Sequence, residues 1–314
     1  MNGQFTNYKY RRLQKYIINY LGLAPFFILF TIFILTPIVR GILMSFTNWS
    51  LSNKESINFV GFENYLYILS GDTISSIRFI KSIKNLAIYV PVTVTVGISI
   101  SLGLALIVSH IQQRLYKIFR GIYFIPTVLP LFLVTGIWQW FMAPETGLVA
   151  SNLAKIGIGR DVIWTQEPGY AIAMVVLIDV WNSVGFNFII FSTGILSVSP
   201  EIFEAAEIDG ASALQKMIYI TIPLIEPTIF FVTAYSFISA LQVYDIPWIL
   251  TATADINAAG GQGQVMLFPV MEMVRNIYSG GKSALGRAAA EGVILMFIIS
   301  LVTFIQFISR RKTV

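Results

Sequence analysis

The chain contains no cysteine and a single histidine, His110, among its 314 residues. Without cysteine it forms no disulfide, no thiolate metal site and no cysteine nucleophile. One histidine leaves no cluster of the kind that holds zinc or haem iron. The sequence therefore gives no support for the common metal and thiol chemistries.

Charged residues are also scarce, at 12% of the chain against about 25% in ordinary soluble domains. Hydrophobic residues make up 56%, and the mean hydropathy is +0.74. Polar residues must cover the surface of a soluble protein, so this excess of apolar surface must face lipid. The composition argues against a soluble enzyme, a disordered chain and a nucleic-acid-binding domain. The net charge of +5 fits the Lys and Arg that membrane proteins carry at cytoplasmic helix ends.

Charge-poor stretches of about 20 residues, the length needed to cross a bilayer, predict six transmembrane helices in an all-α membrane protein. The predicted spans are about 16–46, 85–109, 119–142, 169–195, 219–244 and 285–309, within a transmembrane domain over 16–309. The first run is too long for a typical signal peptide, so we expect it to be a retained helix.

Basic residues predict the orientation of these spans. Dense clusters precede the first span, fill the loop after the second and follow the last: 9–15, 114–120 and 310–312. The positive-inside rule favours the cytoplasm for clusters close to helix ends. We therefore expect a cytoplasmic N-terminal segment over 1–15 and a cytoplasmic tail over 310–314.

One polar island interrupts the apolar pattern between the fourth and fifth spans. Ser199 suits a helix N-cap, Pro200 suits the first helical position, and Gly210 suits the residue that ends a helix. A second short helix is expected from Ala211 to about Ile222. The pattern predicts a cytoplasmic helix–turn–helix loop over 199–222.

This loop resembles the EAA motif of ABC importer permeases. The matching residues are Glu204-Ala205-Ala206, Asp209-Gly210-Ala211 and Ile220-Thr221-Ile222-Pro223. Other matches are Phe59–Tyr65, Phe119-Arg120, Phe124-Ile125-Pro126, Trp181, Gly185 and Gly286–Ala290. Together they resemble the carbohydrate-uptake branch of the binding-protein-dependent inner-membrane permeases, and within it subunits of the maltose-type F or glycerol-phosphate A kind.

The resemblance implies the type I importer fold of six transmembrane helices with a cytoplasmic coupling helix that docks on an ATPase. The implied ATPase-coupling residues are Glu204, Ala205, Ala206, Asp209, Gly210 and Ala211. The implied partners are a second homologous permease, two ATPase subunits, an extracytoplasmic solute-binding protein, a carbohydrate and membrane lipid, without nucleic acid. The implied location is a bacterial or archaeal cytoplasmic membrane, with both termini cytoplasmic. No cofactor or metal is expected in this chain, and ATP and Mg belong to the ATPase subunits.

Polar residues within spans are costly, so they usually face a cavity or another helix. In the fourth span Asp179, Ser183 and Phe186 share one helical face, and Ser236 and Ser239 share a face in the fifth. The predicted substrate-pathway residues are Asp179, Asn182, Ser183, Phe186, Ser236, Ser239, Gln242 and Tyr244. Hydrogen bonding between helices is the competing explanation, above all for the serines.

The sequence thus favours the permease subunit of an ATP-driven, binding-protein-dependent sugar importer, with an oligosaccharide as the favoured substrate. A permease for glycerol phosphate or another polyol derivative is the alternative. An intramembrane enzyme would need a catalytic constellation that one histidine and a lone Asp179 do not supply. A channel subunit would more typically carry rings of charge or a repeated filter. We therefore do not expect an enzyme.

Overall fold

The computed structural model describes residues 16, 19–51, 57–109, 113–160, 162–251, 258–278, 281 and 283–311. Across these ranges the chain is helical, and its only β-type pairing is an isolated bridge between Thr47 and Phe59. The segment 1–15 and the last residues, 312–314, lie outside the described residues, as does His110. The prediction of an all-α fold is confirmed.

The helices are numbered here in chain order. They are α1 (Asn19–Met44, with a π-helical stretch at Thr31–Leu35), α2 (Glu63–Leu69), α3 (Ile74–Ser109), α4 (Gln113–Val128), α5 (Leu131–Phe141), α6 (Leu148–Lys155), α7 (Pro168–Leu196), α8 (Pro200–Ile208), α9 (Ala213–Lys216), α10 (Glu226–Leu241), α11 (Asp245–Thr251), α12 (Pro269–Tyr278) and α13 (Ala284–Arg311).

Five segments of the described chain are long and apolar enough to cross a membrane. They are Asn19–Met44, Ile74–Ser109, Pro168–Leu196, Glu226–Thr251 and Ala284–Arg310. A sixth crossing is formed if α4 and α5 count as one bent span. The second span is predicted to begin near residue 85, but the helix that contains it begins at Ile74. The prediction starts late because the first turns of this helix carry Arg78, Lys81 and Lys84 and so do not form an apolar run.

The α4–α5 region was predicted as one span over 119–142, and it is bent by 95° between two helices. Pro130 occupies the N-cap of α5 with ψ of 132°, outside the helical region. Proline has no N–H to continue the helical ladder, and it restricts the residue before it, which explains why the helix breaks here.

Helix α7 lies at the centre of the bundle and contacts α3, α4, α5 and α10. Its residues Met174, Val175, Ile178, Phe188 and Phe191 are almost wholly buried. Such burial on several sides explains why α7 shows little amphipathic pattern. The residues that face its neighbours are therefore in position to enclose a central cavity.

Side chains of α3 and α12 fasten the loop at 258–268. Asn85 donates to the carbonyls of Gln264, Val265 and Leu267 at 2.9 to 3.4 Å. Arg275 pairs with Glu272 at 2.6 Å and also donates to a carbonyl of this loop, and both side chains are buried. A loop held by so many bonds forms part of the rigid scaffold.

The end of α13 lies beside the start of α10. Arg310 Nε is 3.4 Å from Glu226 Oε1, and its guanidinium lies 4.7 Å from the centre of the Phe230 ring. Because α10 follows directly after the loop at 199–225, the C-terminal end of α13 and this loop belong to the same end of the bundle.

Candidate functional site

The loop after α7 forms the helix–turn–helix predicted from sequence. Ser199 is at the N-cap of α8 and Pro200 is its first residue, although no hydrogen bond from the Ser199 side chain caps the helix. Gly210 follows the C-cap with φ of +78°, and the N–H of Ala211 donates to Ala206 O at 2.9 Å. Glycine adopts this left-handed conformation without steric penalty. The prediction that Gly210 ends the helix is confirmed.

The second short helix begins two residues later than predicted, at Ala213. Ser212 accepts a bond from the N–H of Gln215, and the Gln215 side chain accepts one from the N–H of Ser212. This capping box fixes the start of α9. The helix continues through a π-helical turn, Met217–Thr221, and through Ile222–Leu224.

Most of the predicted coupling residues are accessible. Glu204, Ala205, Asp209 and Gly210 are exposed, Ala211 is half-buried, and Ala206 is buried. Ile208, between them, is 88% exposed. A large apolar side chain with charged neighbours on an accessible turn is the kind of surface that contacts another protein.

An ion pair ties α8 to α9. Lys216 Nζ lies 2.5 Å from Glu207 Oε1. The hydrogen bond and positive charge of Lys216 lower the pKa of the Glu207 carboxyl below its ordinary value. The two helices are therefore linked both by the Gly210 turn and by a side-chain bridge.

A polar cavity of about 190 Å³ lies between α3, α4, α7 and α10. It is lined by six of the eight predicted pathway residues, Asp179, Asn182, Ser183, Phe186, Ser236 and Ser239. The other two are elsewhere: Gln242 is exposed at the end of α10, and Tyr244 stacks on Trp248 with ring centres 5.3 Å apart. The volume is smaller than the roughly 300–1,000 Å³ of typical ligand pockets.

Asp179 is held in the cavity wall by Tyr89. The phenol of Tyr89 donates to Asp179 Oδ2 at 2.5 Å. The Tyr89 ring is fully buried and packs edge-on against Phe268, with ring centres 5.1 Å apart. The carboxylate therefore has a fixed position set by side chains outside the cavity.

Asn182 joins α7 to α4. Its Nδ2 donates to Pro126 O at 2.8 Å, and Thr127 Oγ1 donates to the carbonyl of Asn182 at 2.7 Å. Pro126 O lacks its usual helical donor because residue 130 is proline and has no N–H. Asn182 thus satisfies a backbone group at the bend as well as lining the cavity.

Aromatic rings and hydroxyls complete the lining. Phe186 lies against Tyr235, with ring centres 5.3 Å apart, and both line the cavity. Ser183 Oγ is 3.4 Å from Val180 O, which is long for a hydrogen bond. The hydroxyl of Ser183 therefore keeps most of its hydrogen-bonding capacity for a ligand. Carboxylate, amide and hydroxyl groups beside aromatic faces suit a ligand with many hydroxyls and apolar ring faces.

Sequence reasoning missed several lining residues. Thr93, Thr127, Asn187 and Tyr235 line the cavity, and Tyr89 supports Asp179 from behind. Tyr89 and Thr93 are four residues apart on α3, a spacing that places them on one face. Polar residues at helical spacing in the second span could therefore have indicated that α3 also contributes to the cavity wall. In the described ranges no group of three or more His, Asp or Glu residues is arranged to hold a metal ion.

Comparison with known proteins identifies the class of molecule. Residues 94–314 match the family described as binding-protein-dependent transport system inner membrane component. The sulfoquinovosyl glycerol transport system permease protein SmoG of Agrobacterium fabrum is 30% identical over 279 residues, covering 89% of this chain and 85% of that protein. The arabinooligosaccharides transport system permease protein AraP of Halalkalibacterium halodurans is 27% identical over 293 residues, covering 92% and 86%.

A solved structure shares the fold. A chain in the crystal structure of a bacterial alginate ABC transporter, in complex with its alginate pentasaccharide-bound periplasmic protein, superposes with a TM-score of 0.77. It is 23% identical and the match covers 97% of this chain and 98% of that one. The family match and the apolar helices make this a multi-pass membrane protein. The chain belongs to the family of inner-membrane components of binding-protein-dependent transport systems.

Proposed function

We propose that this chain is the permease subunit of an ATP-driven sugar importer, with an oligosaccharide as the favoured substrate, and that it forms half of the translocation pathway. The observation that carries this proposal is the exposed Glu204–Ala211 loop at one end of a bundle whose centre holds a polar cavity. The name of the relative AraP, a permease for arabinooligosaccharides, supports an oligosaccharide substrate.

The driving force comes from separate subunits in this proposal. Two ATPase subunits bind ATP and Mg, a second homologous permease completes the pathway, and an extracytoplasmic binding protein delivers the sugar. This chain itself catalyses no reaction and holds no cofactor. The termini and the Glu204–Ala211 loop are cytoplasmic, an orientation supported by the basic helix ends and by the Arg310–Glu226 contact.

The loop acts as a lever. When the ATPases close, α8 moves with them through Glu204, Ala205, Asp209 and Gly210. The Lys216–Glu207 bridge and the Gly210 turn make α8 and α9 move as one body. Since α7 and α10 flank the loop, displacement of the lever tilts the two helices that contribute most of the cavity wall. This gives alternating access at a site near mid-membrane.

The cavity binds the sugar through hydroxyl groups and ring faces. Asp179, Asn182, Ser183, Ser236 and Ser239 supply hydrogen-bonding groups. Phe186 supplies an apolar face for the sugar ring. Gln242 and Tyr244, outside the cavity, are proposed as contacts nearer the outer opening. Glycerol phosphate is less well supported, since no lysine or arginine is among the described residues that line the cavity.

The test is sugar uptake by proteoliposomes that contain the whole transporter, with Glu204→Lys in this chain. We expect the variant complex to lose ATP-dependent uptake by at least tenfold while its thermal stability stays unchanged. Glu145→Lys is the matched control, because Glu145 is an exposed acid remote from the loop in sequence, and uptake should persist. Normal uptake by the Glu204→Lys complex would refute the coupling role.

A further inference from the structure

The charge of the cavity wall is one-sided. Among the described residues that line it, Asp179 is the only aspartate, glutamate, lysine or arginine. The other lining residues contribute hydroxyls, amides, aromatic rings and aliphatic groups. These described lining residues therefore offer hydrogen-bond acceptors and donors to a ligand but no positive charge.

Asp179 cannot easily turn away from a ligand. Its Oδ2 accepts the bond from Tyr89, and Tyr89 is the one side-chain donor to it among the described residues. A carboxylate accepts about four hydrogen bonds, so most of its accepting capacity remains for a ligand. The substrate thus meets a carboxylate whose orientation is already set.

The support behind Tyr89 is rigid. Phe268, which packs on the Tyr89 ring, is fully buried, as are its neighbours Met266 and Leu267. Asn85 holds this segment by its carbonyls, with the bond to Leu267 O at 2.9 Å. Rotation of Asp179 away from the cavity would leave the buried phenol without its acceptor, which is costly in an apolar surrounding.

We propose that Asp179, positioned by Tyr89, is a charge filter that restricts this half of the pathway to uncharged saccharides. Sugar hydroxyls donate to the free capacity of the carboxylate. A carboxylate, sulfonate or phosphate on the substrate meets a like charge at short range. At the effective dielectric of a protein site this repulsion weakens binding by at least about tenfold. The inference rests on the proposed function and adds the substrate class to it.

The test is trisaccharide binding to the purified transporter without its binding protein, so that the specificity of the binding protein does not enter. The probes are maltotriose and arabinotriose, which are neutral, and trigalacturonate, which has the same number of rings and carries carboxylates. We expect the wild-type complex to bind a neutral trisaccharide at least tenfold more tightly than trigalacturonate.

Two variants and one control make the filter falsifiable. Asp179→Asn should reduce the preference for the neutral sugar at least tenfold, mainly by strengthening trigalacturonate binding. Tyr89→Phe keeps the charge of Asp179 but removes the hydrogen bond that fixes the orientation of its carboxylate. Binding of the neutral trisaccharides should therefore weaken several-fold, while trigalacturonate stays excluded. Glu145→Gln removes the charge of an exposed acid that does not line the cavity, and both the binding and the preference should stay as in the wild type. ATPase activity of each complex reports that it is assembled.

The outcomes separate the two proposals. Equal wild-type binding of trigalacturonate and maltotriose, or an unchanged preference in Asp179→Asn, overturns the filter and leaves the sugar importer standing. A wild-type complex that binds none of the three trisaccharides overturns both the oligosaccharide substrate and the filter.

Discussion

Gly185 lies so close to the backbone of α4 that replacing it with alanine tests the α4–α7 interface directly. A methyl group at this position would lie 2.1 Å from Tyr123 O and 2.9 Å from Thr127 Oγ1. Since the first of these is a backbone atom, no side-chain rotation can make room, and α4 and α7 must separate.

The expected cost follows from three terms. Overpacking a well-packed site costs about 1–3 kcal/mol. Separation also weakens the two interhelical bonds of Asn182, each about 0.6 kcal/mol in a membrane setting. The gain in helix propensity from glycine to alanine is at most about 1 kcal/mol. We therefore expect Gly185→Ala to lower the free energy of unfolding by about 1–3 kcal/mol.

Reversible unfolding in mixed micelles, followed by tryptophan fluorescence, measures this change. Gly103→Ala in α3 is the matched control, because a methyl group there meets no atom within 4 Å. It should be neutral or stabilising by up to about 1 kcal/mol. The reasoning fails if Gly185→Ala is as stable as Gly103→Ala.

Three further predictions concern the loop and the scaffold. Gly210→Val places a β-branched residue at a φ of +78° and should uncouple ATP hydrolysis from sugar uptake, with both rates measured in proteoliposomes. Gly157→Val, at a similar φ of +84° and far from the loop in sequence, is the control and should leave hydrolysis and uptake coupled. Arg275→Met leaves Glu272 buried without its partner and should cost about 3–5 kcal/mol in unfolding experiments. Burial raises the pKa of the Glu272 carboxyl, and the positive charge of Arg275 opposes that rise. Without Arg275 the folded protein favours protonated Glu272 more strongly, so the loss of unfolding free energy in Arg275→Met should be larger at pH 8 than at pH 5. Asn182→Ala should cost about 0.6–2 kcal/mol by the same unfolding measurement, because a carbonyl of α4 then lacks a donor.

Features set by local physics could be predicted from the sequence. Apolar length identified the long helices, and a glycine after an acidic turn identified the end of α8 at Gly210. The shared face of Asp179, Ser183 and Phe186 follows from the helical period alone. The cavity brings these residues together with Ser236 and Ser239 because α7 and α10 pack against each other.

Features set by contacts between distant segments could not be predicted from the sequence. The α4–α5 bend follows from Pro130, but the residue that donates to the freed carbonyl of Pro126 is Asn182, more than fifty residues later. Tyr89 and Asp179 are ninety residues apart, and no sequence pattern reports that one donates to the other. The early start of α3 could not be predicted because the charges of Arg78, Lys81 and Lys84 break the apolar run, whereas Lys81 donates to a carbonyl of the loop at 258–268.

The most direct test of the central claim uses the absence of native cysteine in this chain. Ile208→Cys places a single thiol on the loop, where the isoleucine is 88% exposed, and Ile156→Cys places one at a control isoleucine that is 71% exposed and follows α6. Oxidative crosslinking is measured in the assembled transporter, with the ATPase subunits carrying a cysteine scan. The account predicts a crosslink from Ile208→Cys to an ATPase that changes in yield with ATP, and none from Ile156→Cys. Crosslinking of the ATPase by Ile156→Cys, or its absence from Ile208→Cys at every scanned position, would contradict the account.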